Sequence, residues 1–424
     1  MAARPSEGER EMARRGRADM AQSGPSQERP HESGWCEPKS RGFGLLGILM
    51  GVVLVVLFGL AVLFAGCASK ATSSTAVSES SSTIAGATTT PAAATVTTPA
   101  TGAQGTWSNL NPGGILPSAR EGHSMVYDPT SGKVILFGGA HPLSVDETWD
   151  YNPSTNTWTN LNPVGGLPPA RSGHSMVYDS TTGKVILFGG AGSSYFNDTW
   201  DYDPTTNAWT NLKPTGSLPS VRSGQSLAYD SGTGKVILFG GWDGTSYFND
   251  TWAYDPSANA WTNLKPTGIL PSVRSSHSLV YDPGTGKVIL FGGMIAVEDA
   301  KTDSEVADVY DDTWAYDPAA NTWTNLKPAG SLPGARADHS MVYDSGTSRM
   351  LLFGGWDGKE SHDDTWAYDP AANIWANLKP AGSLPSARAF YSMVYASDTG
   401  QVILFGGTDS GAFLDDTWTY AGKG

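Results

Sequence analysis

The chain has 424 residues and a formal net charge of −14, with 41 acidic side chains against 27 basic ones. An acidic balance of that size repels phosphate backbones and sets nucleic acid aside as a partner. Two cysteines in the whole chain leave no disulfide framework to hold a fold.

Residues 1–42 are rich in Glu, Arg, Ser, Gly and Pro with few apolar groups, a composition that buries no core and reads as disordered. Residues 43 to 65 then hold no charge across 23 positions. As a helix that run reaches about 34 Å, enough for a hydrocarbon core of roughly 30 Å, so it predicts a membrane span over 43–66. Eight basic residues precede it and only Lys70 lies between it and Thr106. That asymmetry places the N-terminus in the cytoplasm and everything after the span outside. The span closes on Leu63-Phe-Ala-Gly-Cys67, which resembles the lipobox of bacterial lipoproteins and makes Cys67 a candidate lipidation site; Phe64 and the 42-residue leader depart from that pattern. An uncleaved signal anchor and a lipidated Cys67 both stay open, and both tether the same domain on the same side. Cys36 and Cys67 flank the span and so cannot pair. Residues 67–105 are a Ser/Thr/Ala/Pro tract, a flexible stalk.

From Thr106 to Gly424 one phrase is written six times. Its clearest word, Phe-Gly-Gly, stands at Phe137, Phe188, Phe239, Phe291, Phe353 and Phe405, in steps of 51, 51, 52, 62 and 52 residues. The second copy reads Arg171-Ser-Gly-His174-Ser-Met-Val-Tyr178-Asp179, then Gly183-Lys-Val-Ile-Leu-Phe-Gly189-Gly190, Asp198-Thr-Trp200-Asp-Tyr202-Asp-Pro204 and Asn207-Ala-Trp209-Thr-Asn-Leu212. Each clause is a short β-branched and aromatic run fenced by turn residues, which predicts four strands per repeat, a to d. No window after residue 66 sustains a helical period, so the region is all-β. Two Trp columns, Trp149, Trp200, Trp252, Trp314, Trp366, Trp418 and Trp158, Trp209, Trp261, Trp323, Trp375, read as packing between repeats. The paired glycines read as sites of positive φ or of close backbone approach.

A period near 50 means one supersecondary unit repeated, and a Gly doublet followed by Tyr and a spaced Trp resembles the kelch repeat. The resemblance covers 106–424 and implies a six-bladed β-propeller. The first repeat element, Thr106-Trp107-Ser-Asn-Leu110, is a strand d without a, b or c; the last, Asp416-Thr-Trp418-Thr-Tyr420, is a strand c without d. The N-terminal strand is therefore expected to complete the sixth blade and clasp the ring.

Antiparallel order puts the a–b and c–d turns on one face and the b–c and d–a loops on the other. The turns are monotonous, whereas the b–c loops differ from blade to blade, and variable loops on a repeated scaffold are where binding sites are carried. On that face Trp242-Asp243 and Trp356-Asp357 set an aromatic plate beside a carboxylate, suited to a sugar ring; a local Asp-Gly turn is the competing account. Tyr195, Tyr247 and His362 complete the aromatic and polar candidates. The long blade-four segment carries Glu298 and Asp299 in an acidic loop without the ligand spacing of a calcium loop. His123, His174, His277 and His339 recur before strand a, with Gln225 and Tyr391 in the other two blades; they read as structural, not as a metal site. The Arg that precedes each, Arg120 through Arg388, reads as paired with a carboxylate of a neighbouring blade.

Among enzymes, galactose oxidase resembles this chain in its repeats, and that resemblance would imply a copper site with a Tyr–Cys cross-link. Residues 106–424 contain no Cys, so that cofactor cannot form and none is expected. The leading reading is a membrane-tethered extracytoplasmic module binding a protein or a glycan. A hydrolase, lyase or epimerase acting on carbohydrate at the central mouth, and a purely structural surface protein, are the alternatives.

Overall fold

The computed structural model describes residues 105–299 and 304–422. The expectations for 1–42, for the span 43–66, for Cys67 and for the stalk up to residue 104 fall outside them. Among the described residues no helix is long and apolar enough to cross a membrane.

The described residues form six four-stranded antiparallel sheets arranged as propeller blades. In blade one the strands are a Ser124–Asp128, b Lys133–Phe137, c Thr148–Asn152 and d Thr157–Asn160. Turn chemistry sets their length. Asp128 Oδ1 accepts from the Thr130 amide and Oδ2 from the Ser131 hydroxyl, and Gly132 follows at φ 68°. At the c–d turn Asn156 sits at φ 53°, accepts from the Tyr151 hydroxyl and donates to the Leu110 carbonyl of blade six. The clasp is present: Thr106–Asn109 pairs antiparallel with Thr417–Ala421, in the register Trp107 with Tyr420 and Asn109 with Trp418.

The hydrophobic core lies between blades. Every buried cluster joins one blade to the next, as Val126, Ile135 and Phe137 of blade one pack on Met176, Leu187, Trp200 and Trp209 of blade two. The two Trp columns split their polar duties. Each strand-d indole donates to a strand-c Thr of the preceding blade, from Trp209 to Thr148 at 3.0 Å round to Trp107 and Thr365 at 3.0 Å across the clasp. Each strand-c indole stays within its own blade, as Trp200 does on Asp198.

The outer strands are also covered. The segment leaving each strand d forms a parallel bridge to strand d of the next blade, at Gly113 with Thr157, Val164 with Ala208 and onward to Ala381 with Thr106. In blade five this contact becomes a two-residue fifth strand, Ala329–Gly330. Bridging an edge in this way leaves fewer unpaired backbone groups for another chain to join.

Candidate functional site

The b–c and d–a loops share a face, and within each blade they are bridged to one another, as Ser172 is to Ala191 and Ser223 to Trp242. Six buried arginines fix that face. Arg171 gives Nη1 and Nη2 to the two Asp198 oxygens at 2.6 and 2.9 Å, Nη1 also to the Gly189 carbonyl, and Nε to the Pro169 carbonyl. The carboxylate belongs to the same blade, not to a neighbour as the spacing suggested, because the short arm before strand c returns beside the arm before strand a. Arg120 meets Glu147 in the equivalent place. Burial alone would raise the Asp312, Asp364 and Asp416 carboxyls, but the guanidinium and the indole N–H outweigh it and hold all three below the usual value.

The glycine pair combines both expected reasons. Gly138 and Gly139 sit at φ 68° and 94°, and a Cβ on them would lie 2.7 Å from the Arg171 carbonyl of the next blade and 2.9 Å from the Glu121 carbonyl. The recurring His position is structural as expected. Gln225 Nε2 donates to the Phe188 carbonyl of the preceding blade at 2.8 Å, and Tyr391 does the same to Phe353. His123 and His277 instead set their rings edge-on to those of Phe405 and Phe239 with centroids 5.4 Å apart, and burial, then the adjacent Arg charge, pushes both imidazoles down to about 3, so they are neutral.

Just outside that tier, one backbone unit from each blade closes a ring around the axis. Gly122 donates to Phe390, Phe390 to Asp338, Asp338 to Ser276, Ser276 to Gly224, Gly224 to Gly173 and Gly173 to Gly122, each at 2.8–3.0 Å. All six have positive φ, including Ser276 at 58°, Asp338 at 55° and Phe390 at 60°. Beneath the ring is an axial cavity of ≈ 210 Å³, bordered by His174, Gln225, His277, His339 and Tyr391.

Around this mouth the b–c loops touch in sequence. Tyr195 meets Trp242 edge-on with centroids 5.6 Å apart, and Trp242 stacks on Tyr247 at 5.9 Å, so these three predicted residues form one half-exposed aromatic group. The Tyr247 hydroxyl accepts from the Ala296 amide of blade four. Asp243 spends Oδ1 on the Thr245 amide and hydroxyl and the Ser246 amide, which is the local turn weighed against sugar binding. Asp357 likewise accepts from the Lys359 and Glu360 amides and lies 3.2 Å from His362. The blade-four excess is no plain loop: Met294–Asp299 and Ser304–Val309 form an antiparallel ribbon in which Glu298 faces Glu305 and Asp299 faces Ser304. Ile295 and Val297 on one arm and Val306 and Val309 on the other supply β-branched residues that favour strands. On the far side His141 of blade one meets Phe413 of blade six at 4.8 Å.

Glu121 and Asp338 escaped the sequence reading. Glu121 bonds the Thr408 side chain and Asp338 that of Ser276, and burial raises each carboxyl to about 7. The available signal was the pair between the constant Arg and the His position, Ser-Gly in blades two and three but Glu-Gly, Ser-Ser, Ala-Asp and Ala-Phe elsewhere. Among the described residues no three His, Cys, Asp or Glu are placed to hold a metal ion.

The KLHDC2/KLHL20/DRC7 kelch-repeats domain matches residues 72–293, 141–347 and 285–423. Kelch domain-containing protein 10 of Xenopus tropicalis is 28% identical over 70% of this chain and 73% of its own length. Host cell factor 2 of Homo sapiens is 29% identical over 57% of this chain but only 31% of its own length, and host cell factor 1 of Rattus norvegicus 29% over 57% and 12%.

Proposed function

The chain belongs to the kelch-repeat family of β-propellers, and from that premise we propose that its propeller is a protein-binding module using the b–c loop face. The observation that carries this is the contrast between a stitched scaffold and divergent loops meeting around one mouth, with Tyr195, Trp242 and Tyr247 half-exposed upon it. In this reading residues 43–66, or a lipidated Cys67, tether the module to the cell membrane, residues 67–105 are its stalk, and the propeller stands on the extracytoplasmic side. A glycan is the second ligand class, favoured by the same aromatic group, with Trp356, Asp357 and His362 on blade five and Glu298 and Asp299 on the ribbon as further contacts.

The test uses the full chain carrying a photo-crosslinker at Tyr247 or, as control, at Thr206 in a c–d turn. A discrete protein adduct at Tyr247 alone, lost in Trp242→Ala, is the expected result. Equal labelling at both positions, or none at Tyr247, would sink the reading. Protection of the propeller from added protease in intact cells would overturn the extracytoplasmic placement.

A further inference from the structure

Resting on the binding-module reading, the structure also points to the chemistry taken at the centre of the face. Six segments joined edge to edge at a spacing of about 4.8 Å close a hexagon of roughly 5 Å radius, which admits one alkyl chain and excludes a sugar ring or a secondary-structure element. Two carboxyls stand at this ring, Asp338 in it and Glu121 beside it. Each is paired with a hydroxyl from an adjacent blade, and the Glu121 charge adds to the upward shift of Asp338.

The wall beneath carries buried polar atoms without partners. Gln225 is 4% exposed and borders the axial cavity, and its Oε1 is buried without a hydrogen-bond partner among the described residues. His174, His277 and His339, each 6% exposed on the same border, have both ring nitrogens buried without a hydrogen-bond partner among the described residues, so each neutral ring leaves one acceptor unmet. Buried acceptors without donors are costly, and two carboxyls favour a positive guest.

We propose that the axial mouth binds a primary ammonium on an unbranched alkyl chain, the side chain of a lysine on the partner, with Asp338 and Glu121 as its counter-charges. Three N–H donors on one slim cation match a narrow opening ringed with acceptors. Guanidinium is broader and planar, and fits the opening less well.

The test titrates the full chain at pH 8 with Nα-acetyl-lysine methylamide, its Nε-acetylated counterpart and n-butylammonium, followed by calorimetry. Saturable binding of the lysine probe and none of the acetylated one are expected, and Asp338→Asn and Glu121→Gln should each weaken binding about tenfold or more, the worth of a charge-assisted hydrogen bond. Asn accepts the positive φ of position 338, and a cooperative melt at pH 5 no lower than that of wild type in either variant confirms folding. Equal binding of the two lysine probes, or unchanged affinity in both variants, overturns the proposal; butylammonium binding without the lysine probe overturns the lysine assignment. A Tyr247 adduct of full yield in Asp338→Asn would remove this inference and leave the binding module standing. Lysine binding without any adduct would do the reverse.

Discussion

Gly139 shows how one residue can be fixed by its neighbours. Its φ of 94° and the Glu121 carbonyl 2.9 Å from a built Cβ exclude a side chain, whereas at Gly113 nothing lies within 4 Å. Gly139→Ala is expected to cost about 3 kcal/mol or more in urea unfolding of the full chain, and Gly113→Ala well under 1 kcal/mol. Asp338 gives a prediction of opposite sign. Its folded carboxyl titrates near 7, above the unfolded value, through burial, with the Ser276 hydroxyl opposing and the Glu121 charge adding to the shift. The folded state therefore binds more protons, and the contribution of Asp338 is fully present below about pH 4 and lost as pH rises through 7. Asp338→Asn should melt increasingly above wild type as pH rises from about 4, reaching several degrees at pH 8. A variant less stable than wild type at pH 8 would show that the carboxylate is stabilised there.

Among elements, the clasp is the one on which closure depends. Trp107 is 1% exposed, its Nε1 donates to Thr365 of blade five, and its ring packs on Phe353 and Tyr420. Deleting Thr106–Asn109 should lower the melting temperature of the whole propeller, and Trp107→Ala should cost about 3–5 kcal/mol by the cavity it leaves. An unchanged melting temperature in the deletion would mean that three strands suffice for blade six. This clasp was legible because the first and last repeat fragments are complementary in sequence. The blade-four ribbon was not, since the acidic residues at its tip masked the β-branched Ile295, Val297, Val306 and Val309 of its arms. The partner of each Arg was also misplaced, because spacing along the chain does not say whether two arms meet within a blade or across a boundary.

The whole molecule is a ring of interfaces, and no buried cluster belongs to a single blade. Losing one blade exposes the core of two others, so unfolding should be one transition. Fluorescent probes placed in blades one and four of the full chain should report the same midpoint, and a separation beyond error would divide the ring into independent units. By itself the sequence determined the blade count, the four strands, the glycine and tryptophan roles and the face with variable loops, because a repeat states its local periods and turn chemistry six times over. Only the tertiary structure decided which residues meet at the axis. Gly122, Ser276, Asp338 and Phe390 lie in separate copies of the repeat, and closing the ring brings them into one hydrogen-bonded circle with two carboxyls at its mouth. Contacts made by closure depend on the sum of six rotations, a quantity that no local stretch of chain encodes.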